Sequence, residues 1–81
     1  MDRINLAILH SLWFDHEAVN KMSAVTQSTI FEKVGTSESA LYRRLSRIVA
    51  SGHAAQGFSE GRCITYYITE KGINLLEEAS K

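Results

Sequence analysis

The sequence has no proline, no low-complexity tract and no internal repeat, and no stretch of it reads as a linker, so its 81 residues form one domain. It has one cysteine, Cys63, which excludes an internal disulfide. A lone thiol fits a reducing, cytoplasmic compartment, and its plainest role is that of a small strand residue. No apolar run approaches the roughly 18 residues that a membrane-spanning helix needs. The start, Met1-Asp2-Arg3, lacks the pattern of a secretory signal. A chain this short buries only about 60–65% of the surface that its unfolded form exposes. Its 44% of hydrophobic residues suffice for one core but leave little for a deep substrate cleft.

Chemical motifs are scarce as well. Paired-cysteine and HExxH spacings are absent, and Asp15-His16-Glu17 is the one local group of metal-ligating types. Adjacent loop residues rarely converge on one ion, so no metal is expected there. His10 and His53 have no partner visible in the sequence. There is no glycine-rich phosphate loop, and nothing places a nucleophile on a strained turn. No catalytic residue and no cofactor is expected, and the chain reads as a binding module rather than an enzyme.

Net charge is also missing: nine basic residues balance nine acidic ones. The balance is uneven along the chain. From Lys33 to Arg62 the basic residues Lys33, Arg43, Arg44, Arg47 and Arg62 face Glu38 and Glu60, for a local charge of +3, and the rest carries −3. Four of the five arginines lie between positions 43 and 62. Local potential, more than net charge, is what a phosphate backbone senses.

Periodicity supplies the organisation. Asp2 caps a first helix to about Phe14, with Ile4, Ile8, Leu9 and Leu12 on one apolar face and Leu6 and Trp13 widening it. Asp15 to Lys21 reads as a loop and Met22 to Val25 as a short extended stretch. Thr26 is placed to cap a second helix over 27–34, buried through Ile30, Phe31 and Val34 and stopped by a left-handed Gly35. Ser37 caps a third helix over 38–50, whose Leu41, Leu45 and Ile48 form one narrow stripe, and Gly52 ends it. The period then changes to two. His53–Phe58 and Cys63–Ile68 read as strands joined through Ser59-Glu60-Gly61-Arg62, with Ile64, Tyr66 and Ile68 sharing the buried face. Thr69 caps a last helix over 70–80, which buries Ile73, Leu76 and Ala79 with Leu75 at its edge. The expected class is mainly α with a β-hairpin, α+β overall.

Two helices joined by a tight Gly-Thr-Ser turn and followed by a hairpin resemble the winged helix-turn-helix domains of bacterial and archaeal regulators. Ser37 to Gly52 is similar to their recognition helix. Tyr66-Tyr67-Ile68-Thr69-Glu70-Lys71-Gly72 is similar to the end of the wing in MarR-type and PadR-type regulators. The resemblance implies a three-helix core, a two-stranded wing, a C-terminal helix and binding to double-stranded DNA. The long terminal helices that enclose a ligand pocket in large members have no counterpart here, so no small-molecule effector is expected.

Helical spacing puts Ser39, Arg43, Ser46, Arg47 and Ala50 opposite the stripe of Leu41, Leu45 and Ile48. Small residues there allow close approach to a major groove while Arg43 and Arg47 reach base edges or phosphates. Ser37 and Ser39, with the amides at the helix start, are placed to take a phosphate. Tyr42 and Arg44 sit on the flanks, and Arg62 at the hairpin tip is placed for a minor groove or the backbone. Leu6, Trp13 and Leu75 lie outside the expected core faces and are read as a homodimer interface. The expected function is a sequence-specific DNA-binding regulator, a repressor because so small a domain has little surface for recruiting polymerase. The alternatives are a partition or replication adaptor of a plasmid or phage, and a winged helix used as a protein–protein interaction module.

Overall fold

The first helix, α1, spans Arg3–His10 in a computed structural model that describes residues 2–79 of the chain. Asp2 caps it as expected, its Oδ1 accepting from the amides of Ile4 and Asn5 at 2.8 and 3.2 Å. The helix then widens into one π-helical turn, Ser11–Asp15, one residue beyond the expected end. Ile8, Leu9 and Leu12 are fully buried, and Ile4, at the start of the same face, is half-buried. The segment read as a loop is partly core. Ala18 is fully buried, its amide donates to the Leu12 carbonyl, and its carbonyl accepts from the Ile68 amide.

The sheet has three antiparallel strands in the order β1-β3-β2, where a two-stranded wing was expected. Strand β1, Val25–Thr26, pairs Val25 with Tyr66 and Thr26 with Thr65, and so makes β3, Thr65–Ile68, the central strand. Its other edge pairs with β2, Ala54–Gln56. Both hairpin strands are shorter than the sequence suggests. Ile64 falls outside β3 and is 41% exposed, whereas Thr65 is buried and donates its hydroxyl to the Phe58 carbonyl. The connection turns at Glu60 and Cys63, which pair across Gly61 at φ +60°.

Helix α2, Gln27–Phe31, ends before the expected Val34, although Val34 remains buried. Thr26 precedes it, but its hydroxyl pairs with that of Thr29 rather than with helix amides. Gly35 is not left-handed either. Among the described residues the left-handed glycines are Gly52 and Gly61. Helix α3, Glu38–Ala50, has its expected bounds, with Ser37 Oγ accepting from the Ala40 amide. Leu41, Leu45 and Ile48 are buried against the rest of the core.

Helix α4 spans Glu70–Ala79, and Ser80, where it was expected to end, lies outside the described residues. Leu76 is buried and Ile73 half-buried, but Ala79 is exposed, contrary to expectation. Thr69 accepts from the Gly72 amide and donates to the Gly52 carbonyl, which ties the start of α4 to the end of α3. A Cβ on Gly72 would lie 2.1 Å from the His53 carbonyl oxygen and 2.7 Å from Ile68 Cγ1. This contact is a physical reason for glycine at the end of the Tyr-Tyr-Ile-Thr-Glu-Lys-Gly segment. No helix among the described residues is long and apolar enough to cross a membrane.

Gly72→Ala should cost about 2 kcal/mol, the usual scale for forcing atoms into packed backbone, and lower Tm by on the order of 10 °C. Gly35→Ala, at a site with nothing within 4 Å, should leave Tm nearly unchanged. Thermal melts of the two variants check both expectations.

Candidate nucleic-acid interface

Because α3 buries one narrow stripe, its opposite side is free. Ser39, Arg43, Ser46, Arg47 and Ala50 are all exposed there, with Arg43 and Arg47 one turn apart. Among the described residues neither arginine has an ion-pair partner. Ser46 donates its hydroxyl to the Tyr42 carbonyl at 3.0 Å, leaving the oxygen available as an acceptor. Ser37 Oγ is committed to the helix cap as an acceptor and retains its own proton to donate.

Two grooves flank this face. Toward α1, Arg43, Arg44 and Arg47 share a groove with Asp2 and Asn5. Here Arg44 is half-buried and engaged: its Nη1 donates to Asp2 Oδ2 at 2.7 Å and to Asn5 Oδ1 at 3.1 Å. The Arg44 guanidinium is the main reason why the Asp2 carboxyl lies below its ordinary 3.8, with the Asn5 and Ile4 amides adding to it. Toward the hairpin, Tyr42, half-exposed, shares a second groove with Gln27, Phe31, Arg62 and Ile64. Tyr66 also lines this groove but is almost wholly buried, and burial raises its phenol above the usual 10.0. Gln27 braces the wall by donating from Nε2 to the Glu38 carbonyl at 3.0 Å.

The structure therefore brings Arg43, Arg44 and Arg47 together and places Arg62 with Tyr42 across α3 from them. Sequence reasoning missed Asp2 and Asn5 as members of this surface. Asp2 is visible in the sequence as a helix cap, but no local spacing signals a contact with a residue 42 positions away. It also missed Gln27.

The residues read as a dimer interface separate into two places. Leu6 and Trp13 line an apolar cleft between α1 and α4 with Phe14 and Leu76. Phe14 is 59% exposed and makes tilted ring contacts with His10 and Trp13, with ring centroids 4.5 and 4.6 Å away. Leu75 lies instead beside His53 and Lys71. Among the described residues no group of three or more His, Cys, Asp or Glu side chains is placed to hold a metal ion.

Solved structures share the fold. TubR from Bacillus megaterium pBM400 matches with a TM-score of 0.85 over 99% of this chain and 87% of that one, at 22% identity. AF1382 from Archaeoglobus fulgidus gives 0.79 over 99% of this chain and 84% of that one, at 19% identity. The fold is a winged helix. A protein described as type III plasmid segregation TubR matches with 0.66 over 88% of this chain and 66% of that one, at 14% identity. No protein-family model and no curated protein matches the chain. At such identities the likeness is one of fold.

The Asp2–Arg44 pair has a direct signature. A depressed carboxyl contributes stability that is present above its ordinary value and is lost as pH falls through the lower folded value. In an NMR titration the Asp2 carboxyl should show its midpoint below 3.8, and Arg44→Ala should move it back up.

Proposed function

We propose that the chain binds duplex DNA by setting α3 in the major groove and serves as a DNA-binding adaptor in plasmid segregation. The observation that carries DNA binding is the exposed Arg43 and Arg47, without ion-pair partners among the described residues, on the free side of a helix whose opposite stripe is buried in the core. In this reading the two arginines meet base edges or phosphates, and the start of α3, with Ser37 and Ser39, takes a backbone phosphate. Tyr42 and Arg62 face the strand that runs between α3 and the hairpin. Arg44, already engaged by Asp2, is at the edge of the contact.

The choice of segregation over repression draws its support from the similar structures. Two of the three are TubR, and one of these is described as a type III plasmid segregation protein. No comparable observation favours a repressor. The chain further forms a homodimer through the α1–α4 cleft, where Leu6, Trp13 and the exposed Phe14 leave apolar surface uncovered. Paired α3 helices then read two half-sites about 34 Å apart.

Duplex binding measured against salt tests the interface. Each of Arg43→Ala and Arg47→Ala should lower the log–log slope by about one if it neutralises a phosphate, or relax sequence preference if it reads a base. No duplex binding at low salt would move the reading to a protein-interaction module. For the segregation role, a plasmid that carries the bound DNA should be lost more often with the double variant, with transcript levels from neighbouring promoters unchanged. A change in transcripts without plasmid loss would instead favour the repressor. Sedimentation should give a dimer at micromolar concentration and a monomer for Phe14→Glu, and a monomeric wild type would end the dimer reading.

A further inference from the structure

The contact between Asp2 and Arg44 lies on the surface proposed to meet DNA. Asp2 is held from both sides: Oδ1 accepts the Ile4 and Asn5 amides, and Oδ2 accepts Arg44 Nη1 at 2.7 Å. Its side chain is nevertheless 53% exposed, and it lines the same groove as Arg43, Arg44 and Arg47. An open carboxylate therefore stands where three cations converge. Stability does not require that charge. Exposed ion pairs contribute little, and asparagine or serine caps a helix about as well as aspartate. Near a polyanion the charge has a larger effect, because sequence-independent affinity for DNA follows the number of phosphates that cations neutralise.

We infer that Asp2 limits the affinity of this surface for the DNA backbone by cancelling the charge of Arg44, which leaves Arg43 and Arg47 as the effective cations of the groove. The inference rests on the duplex-binding reading above and names a residue that sets the strength of that binding. The charge arithmetic is specific. The wild-type pair contributes nothing net, a neutral residue at position 2 exposes one positive charge, loss of Arg44 exposes one negative charge, and loss of both returns the groove to its wild-type charge. If Asp2 served only to aim Arg44 at a phosphate, removing Asp2 would weaken binding, and the double variant would bind no better than the Arg44 variant.

The test is duplex binding against salt for wild type, Asp2→Asn, Asp2→Ser, Arg44→Met and Asp2→Asn/Arg44→Met. Thermal melts verify that each folds, and two capping replacements at position 2 guard against loss of one of them. Both Asp2 variants should steepen the log–log slope by about 0.9 and bind about eightfold tighter at about 0.1 M salt. Arg44→Met should weaken binding, and the double variant should return to wild type. Asp2 variants that bind no tighter than wild type, or a double variant no better than Arg44→Met, overturn this inference alone. A wild type that fails to bind any duplex at low salt overturns the reading beneath it.

Discussion

Burial of Leu41, Leu45 and Ile48 is the constraint on which the proposed interface depends. These three side chains lock one side of α3 into the core, with relative exposures of 0, 0 and 1%. The helical period then dictates the rest: Arg43 and Arg47 must face outward, and Arg44 and Tyr42 must fall on opposite flanks. The flanking residues mark the borders of the exposed face, Arg44 against α1 and Tyr42 against the hairpin. Loss of Leu45 would therefore affect more than stability, because the orientation of both arginines is set through that stripe.

A second constraint holds the hairpin and α4 in place relative to α3. Gly52 turns the chain in a left-handed conformation, and its carbonyl accepts the Thr69 hydroxyl. The His53 carbonyl accepts the Thr69 amide and lies against Gly72. Lys71 reaches back to the Ser51 carbonyl at 2.8 Å, where a cation suits the negative end of α3. The end of α3, the base of the hairpin and the start of α4 are thus one junction. It determines how far Arg62 at the hairpin tip stands from the arginines of α3.

Much of this was legible in the sequence because it is periodic or local. The Leu41-Leu45-Ile48 spacing, the Ser37 cap, Gly52 and Gly61 are short-range signals, and the structure ends α3 before Gly52 and turns the hairpin at Gly61 where they indicate. That both glycines are left-handed is a finding of the structure. The third strand was legible only as a short extended stretch expected over Met22 to Val25. Residues 21–23 form a turn instead, and Val25 and Thr26 are strand because Tyr66 and Thr65 pair with them. The same holds for Ala18, an unremarkable loop residue until Leu12 and Ile68 bond its backbone. Gly35 was misread because helix α2 ends earlier, at Phe31, so no left-handed stop is needed there. In the candidate site, Arg43 and Arg47 follow from spacing alone. The Asp2–Arg44 pair does not, because only the packing of α1 against α3 brings those residues together.

The central claim is that DNA meets the free side of α3 and the hairpin tip, and amide chemical-shift mapping with a short duplex tests it most directly. Shifts should concentrate in residues 37–47 and 60–64, with α4 nearly silent. Shifts confined to the α1–α4 cleft around Trp13 and Leu76, with α3 unmoved, would contradict the account.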